Sequence, residues 1–494
     1  MSETDQNCGR KPPRVMWRAW CAVLLLGGLV SGGCTSSVET NQDGLITHEE
    51  EAKIGAAAHP EIIAQFGGSY NDPKLVRHLT RLVQKLSAEG GQTRETLRVT
   101  VLDTPVVNAF ASPGGYIYVT RGLLALANDE AELAGVLAHE LGHLSSRHSA
   151  KRQIAAQRVS VLGGVLRGLS DSAYLSDSLR LGSARSIAAY SRDQELEADK
   201  LGMVMAARAQ YDPSGAVSFL TSLERHFAFE ARHSGSRDNA NNPSIYSSHP
   251  GTLQRIEQVK SHALSFGNDT AGYVRNRDLY LDLIDQLPYG ESLVQGVLRD
   301  RRFLHPGLRI QFAVPEGFAV INHRAAVLGR GPDESVFIFD GAEISADVPL
   351  RRHLIDNWGE GLNLQNVTPF KINGMPALSA ETLHKGLGHE LVVIRYSPKL
   401  IYRFLFITRP VVTARYEKQF RATVQSFDRL TGQQVEALKP MRISVVTVQD
   451  GQTVDRLARR LATGGDKVAR FRILNGLGPK DVLTPGQRVK IITK

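Results

Sequence analysis

Apolar positions change their spacing in blocks along this chain, and each change of period marks an element. After a polar stretch at residues 35–44, helical spacing runs over about residues 48–66 and again over 73–89. The segment LRVTVLDTPVVNAFASPGGYIYVTRGLLAL, residues 97–126, switches to a strand period. Val99 and Val101, then residues 116–120, predict two strands separated by the turn Ser112-Pro113-Gly114-Gly115. Asn128 and Asp129 can cap an amphipathic helix reaching about residue 153, with Leu133, Val136, Leu137, Leu141 and Leu144 as its apolar stripe. A further helical region covers about 176–209 and stops before Asp212-Pro213. A Ser/Asn/Arg-rich loop over 232–248 then leads through His249-Pro250 into a helix that ends near residue 265.

From about residue 303 the texture alters. HPGLRIQFAVPEGFAVIN, VFIFDGAEI, HELVVIRY and LIYRFLFIT are short β-rich runs, with helical stretches near 350–358 and 415–424. The last segment predicts a strand, helices near 453–462 and 467–475, and a closing strand over 488–493. The pattern therefore predicts a multidomain α+β protein without internal repeats. Residues 45–290 form a mainly helical domain with a small sheet, 300–432 an α+β domain without a cluster of titratable groups, and 443–494 a βααβ module.

With 494 residues, 42% of them apolar and 22% charged, the chain has material for several cores. A net charge of +9 and a pI near 9.4 are compatible with nucleic acid, anionic lipid or an acidic wall polymer. The basic residues are spread out, with no dense run interleaved with aromatics, and this disfavours nucleic acid. Residues 1–34 set the compartment. Arg10, Lys11, Arg14 and Arg18 precede an apolar stretch over 20–30 that is too short to span a bilayer, and Ser31, Gly32 and Gly33 precede Cys34. The segment resembles a bacterial lipoprotein signal, which implies cleavage before Cys34 and lipidation of its thiol; ordinary signal cleavage near this point is the alternative, since Ser31 stands where that signal prefers Leu. Cys8 and Cys21 fall inside the leader, so Cys34 is the sole cysteine of the mature chain and no disulfide is expected within it. Thr35, with no Asp after the cysteine, resembles outer-membrane sorting in a Gram-negative cell.

The chemistry concentrates in two short motifs. AHELGH places His139 and His143 one helical turn apart on one face, with Glu140 beside them. Two imidazoles at that spacing can hold one zinc ion, and an adjacent carboxylate can act as general base on water that the ion acidifies. Two surface histidines on a helix are the bland alternative. A catalytic zinc takes three protein ligands. SRDQELEAD supplies Glu195 and Asp199 on one face of a second helix, Glu195 as third ligand and Asp199 as acceptor of an imidazole N–H. Glu197 falls between those positions and reads as surface. His148, about half a turn round the helix from His139, is not expected to be a ligand.

Together NAFASPGGYIYVTRGLL, HELGH and SRDQELEAD resemble, over about residues 49–262, the gluzincin zinc metallopeptidase family of HtpX, the CAAX prenyl protease and BepA. The resemblance implies a zincin-type domain with one Zn2+ per chain held by His139, His143 and Glu195, Glu140 as catalytic base and Asp199 behind the ligands. It also implies that the strand Gly115, Tyr116, Ile117, Tyr118 and Val119 is the edge to which an extended substrate adds. SSHP at 247–250 resembles an element of the BepA-like branch, which implies that His249 can take the fourth zinc position and hold the enzyme latent, or stabilise the oxyanion. VVTVQDGQTVDRLARRL, ILNGL and VLTPGQRVKI resemble a LysM module, implying either peptidoglycan binding or a module used only for docking.

The expected function is a zinc metalloendopeptidase on the periplasmic face of the envelope, lipid-anchored, acting on unfolded or unassembled envelope proteins. The alternatives are an envelope chaperone or assembly factor with a latent protease site, and a peptidoglycan-associated hydrolase.

Overall fold

A computed structural model of the chain describes residues 46–90, 96–151, 190–233, 249, 253–267, 272–323 and 326–494; the leader-like segment, Cys34 and residues 176–189 lie outside them. Among the described residues no helix is long and apolar enough to cross a membrane. The chain is an α+β protein whose elements begin where local chemistry starts them. α1 (His48–Gln65) opens at Thr47, whose side chain accepts the Glu50 N–H. α2 (Pro73–Glu89) opens at Asp72, which accepts from Lys74 and Leu75, with Pro73 preset for the first turn. A small sheet follows: β1 (Arg98–Leu102), β2 (Ala109–Ser112) and β3 (Tyr116–Thr120). α3 (Arg121–Leu126), α4 (Glu130–Ser145), α5 (Arg192–Arg208), α6 (Ser214–His233), α7 (Leu253–Leu264) and α8 (Arg277–Ile284) complete a mostly helical body.

The expected amphipathic helix is α4, and the structure corrects both its character and its end. Every residue from Glu130 to His143 is buried, because α2, α5, α6 and β2 enclose it. Glycines permit this close approach. A Cβ on Gly202 of α5 would lie 2.7 Å from the backbone N of His139, and one on Gly142 would lie 2.9 Å from the Ala198 carbonyl oxygen. The tight α4–α5 crossing thus places the two chemistry-bearing motifs against each other. The helix stops at Ser145 because Arg147 turns into the left-handed region at φ 52°, where its guanidinium reaches Glu51 at 3.2 Å and the Ile46 carbonyl of the α1 entry.

Residues 297–429 carry two antiparallel sheets of their own. The larger has seven strands in the spatial order Gln365–Ile372, Met375–His384, Leu387–Ser397, Leu400–Thr408, Val336–Glu343, Ala326–Arg330 and Ala319–His323. Its core is aromatic, built around Phe312, Phe337, Phe404 and Phe406 and closed by the helix Thr413–Gln425. Glu390 is half-buried on this sheet directly opposite Glu381, and burial pushes its carboxyl up to about 7, with the facing Glu381 adding to the shift. The unfolded chain loses this proton near pH 4.5 and the folded chain keeps it to about 7, so stability from this group falls as pH rises across that window. Glu390→Gln is therefore expected to stabilise the protein by about 1 kcal/mol above pH 7 and to change nothing below pH ~4.5. Denaturant midpoints at pH 4.5 and 8 check this; equal shifts at both would mean that Glu390 ionises normally.

The C-terminal segment does not stand apart from the helical body. Its strand Met441–Thr447 pairs with the final strand Arg488–Thr493 and also with Pro288–Tyr289, Met441 opposite Tyr289. Between the first two lie helices Val454–Ala458 and Lys467–Leu474. Ile443, Leu457, Phe471, Val489 and Ile491 belong to the same buried cluster as Leu79, Leu137 and Tyr280. The sheet domain therefore leaves and re-enters the body at one point, and a single core runs from α2 to the last strand.

Candidate metal centre

His139 and His143 extend from α4 toward Glu195 on the first turn of α5, where Ser191 and Gln194 form a reciprocal cap that fixes the helix start. Nε2 of His139 and Nε2 of His143 lie 3.0 Å apart. Oε1 of Glu195 is 3.4 Å from His143 Nε2, and its Oε2 is 3.6 Å from His139 Nε2. His249 joins them, with Nδ1 2.8 Å from Glu195 Oε1 and 3.2 Å from His139 Nε2. One donor atom from each of the four residues lies within 4.8 Å of every other, and all four are buried.

Glu140 is wholly buried beside this group. The backbone N–H of Ala111 in β2 donates to its Oε2 at 3.1 Å, while Oε1 faces Nε2 of His249 at 3.6 Å. These two facing atoms, Glu140 Oε1 and His249 Nε2, make no hydrogen bond among the described residues. Buried polar atoms left in that condition, next to three imidazoles and a carboxylate, fit a site built around zinc, which favours nitrogen and carboxylate donors. Burial raises the Glu140 carboxyl, with His249 and His139 opposing the rise. Burial would raise Glu195 as well, but hydrogen bonds from His143 and His249 outweigh it and hold that carboxyl well below the usual range. Burial and the neighbouring His139 push His143 down to about 2, which keeps its ring neutral, the form in which imidazole binds metal.

Asp199 stands where it was expected, its Oδ1 2.8 Å from Nδ1 of His139. Five neighbours were not expected as partners. His148 lies 2.8 Å from Nδ1 of His143 and passes the contact to Glu197 at 3.3 Å; Ser146 donates to the same carboxylate at 2.7 Å. The reading of His148 as half a turn away assumed a continuous helix, and the break at Arg147 folds it back onto His143. Glu197 is on the surface but is tied into this chain. The Tyr190 ring stacks on His143 at 3.7 Å, and Arg255 on α7 bridges Glu195 and Asp199. No local sequence signal marks either residue.

The edge-strand assignment needs correcting. Gly115, Tyr116, Ile117, Tyr118 and Val119 do not form an edge: β3 is the central strand, parallel to β1 and antiparallel to β2. The strand bordering the metal group is β2, Ala109–Ser112, whose outward Ala111 N–H reaches Glu140. Strand order depends on pairing partners distant in sequence, here β1 inserting against β3, and alternation within one strand carries no record of it.

Residues 73–263 match the family model of peptidase family M48. Over this segment the chain is similar to that family. It is 29% identical over 261 residues to the beta-barrel assembly-enhancing protease of Yersinia pestis, covering 49% of this chain and 51% of that one. Mitochondrial metalloendopeptidase OMA1 of Schizosaccharomyces pombe is 29% identical over 42% of this chain and 60% of its own length. Metalloprotease YcaL of Escherichia coli is 29% identical over 47% of this chain and 92% of its own. The chain thus spans about half the length of the first of these relatives, and the segment matched by the family model includes HELGH and Glu195.

Proposed function

We propose that this chain is a zinc endopeptidase of the bacterial cell envelope that cuts misfolded or unassembled proteins, with His139, His143 and Glu195 as zinc ligands and Glu140 as general base. The observation that carries the reading is the convergence of HELGH and Glu195 on one point with a wholly buried carboxylate beside it. Zinc, when bound, supplies Lewis acidity at the scissile carbonyl and the attacking water. Glu140 takes the proton; burial raises its carboxyl above the ordinary range and so makes it a stronger base, and the Ala111 N–H fixes its orientation. An extended substrate backbone adds to β2, which among the described residues has a strand neighbour, β3, on one side only. The name of the Yersinia relative, a beta-barrel assembly-enhancing protease, supports substrates from beta-barrel assembly, and the leader-like segment with Cys34 supports an exported, lipid-anchored enzyme.

Purified zinc-loaded protein should cleave a permanently unfolded protein and leave peptidoglycan sacculi intact, and a chelator should stop the cleavage. Cleaved sacculi, or no cleavage of any protein, would overturn the assignment. For the LysM-like module at 443–494, the shared core with the helical body supports a docking role rather than a freely hanging glycan-binding unit.

His249 favours a latent resting form. Four protein donors close a zinc site, whereas a catalytic site keeps one position open. His249→Ala is expected to retain zinc and to raise kcat/KM on an unfolded substrate by on the order of tenfold, the factor that follows when nine-tenths of the molecules are closed. Loss of cleavage instead would make His249 a catalytic or structural group. The same closure favours a second reading, an assembly factor that cuts rarely.

A further inference from the structure

Arg255 is the least expected member of the centre, and its contacts are the most specific. It sits near the start of α7 with its guanidinium buried. Nε donates to Oδ2 of Asp199 and Nη2 to Oδ1, each at 2.7 Å, while Nη1 lies 2.6 Å from Oε2 of Glu195. Nη2 is also 3.2 and 3.3 Å from the two ring nitrogens of His139. Glu195 and Asp199 are four residues apart on α5, so one planar fork spans two carboxylates presented by one helical face.

We propose that Arg255 is the positioning residue of the zinc site, fixing which atoms of Glu195 and His139 face the metal. The inference rests on the zinc reading above. Glu195 has two equivalent oxygens. With Oε2 ion-paired to Arg255, Oε1 is the one presented to His143 and His249, so a metal ion there would be met by one carboxylate oxygen. Asp199, gripped at both oxygens, accepts the Nδ1–H of His139, which fixes the tautomer that leaves Nε2 free to coordinate. One residue thereby orients two of the three ligands.

Charge and geometry pull metal affinity in opposite directions here, so the sign of the effect is decisive. Removing a cation from beside a dication would by itself tighten binding. Removing the fork lets two carboxylates rotate and a histidine change tautomer, which weakens it; outer partners of metal ligands are worth about ten- to a hundredfold in affinity. Geometry is expected to win.

The test uses the full-length chain, with zinc affinity measured by chelator competition and Co2+ absorption spectra recorded for each variant. Arg255→Gln should bind zinc about ten- to a hundredfold more weakly, and its Co2+ bands should lose intensity as Glu195 turns bidentate. Arg255→Lys keeps the charge but cannot span both carboxylates, and it should fall nearly as far; should the Gln variant fail to fold, the Lys variant decides alone. Unchanged or tighter zinc binding in Arg255→Gln, or wild-type affinity and spectrum in Arg255→Lys, overturns the proposal. Wild-type protein that binds no zinc sinks the underlying zinc reading instead, so the two failures are distinct.

Discussion

Glu140→Gln is expected to lower cleavage of an unfolded protein by roughly a hundred- to ten-thousand-fold, the usual contribution of a general base, while zinc content stays at the wild-type level. The substitution is close to isosteric. The amide oxygen can still accept the Ala111 N–H that Glu140 accepts at 3.1 Å, so β2 and α4 keep their contact. Glu140 is wholly buried, and burial disfavours its charged form, so a neutral amide is no costlier to enclose. Thermal unfolding should therefore show no loss of stability, which separates loss of chemistry from loss of fold. Wild-type cleavage by the variant would remove Glu140 from the mechanism. If cleavage vanishes while complementation of a strain lacking the gene persists, the assembly-factor reading replaces the protease reading.

Part of this site was legible because its information is local. His139 and His143 are one turn apart, and any helix with that sequence presents both imidazoles to one side. Glu195 and Asp199 follow the same rule on α5, and Asp199 meets His139 as that rule suggests. The rest was hidden because it is not local. The meeting of α4 with α5 depends on Gly142 and Gly202, each of which reads as a mild helix breaker until the facing backbone is known. His148 reaches His143 through a left-handed residue at Arg147 that helical periodicity cannot anticipate. Arg255 is a single basic residue on an ordinary helix, and its meaning lies wholly in partners 56 and 60 positions earlier. The same limit applies to architecture. The pairing of Met441 with Tyr289 spans the whole sheet domain and rests on a two-residue strand, below any threshold of periodicity.

Lys490→Met should destabilise the whole helical body, zinc site included, by about 3–5 kcal/mol, because three buried carbonyls lose their donor at about 1–3 kcal/mol each, less a partial offset. Lys490 is fully enclosed, and its Nζ donates to the carbonyls of Ala125, Leu126 and Ala127 at 2.8, 3.2 and 2.6 Å. Three acceptors surround the Nζ, and burial pushes its pKa well below the ordinary lysine value. Those carbonyls close α3 immediately before Asn128 and Asp129, and the Asp129 side chain caps α4, the helix that carries His139 and His143. A strand at the far end of the chain therefore satisfies the junction from which the metal-bearing helix starts. Methionine fills similar volume but leaves three buried carbonyls without donors, each costing about 1–3 kcal/mol, partly offset because no polar head group is desolvated. The core is shared, so tryptic cleavage of the C-terminal segment and release of zinc should follow one unfolding transition with one midpoint, in the variant as in the wild type. Two separated transitions, with zinc retained after residues 443–494 have melted, would show that the segment is an appendage and that the Lys490 contacts contribute nothing to the centre.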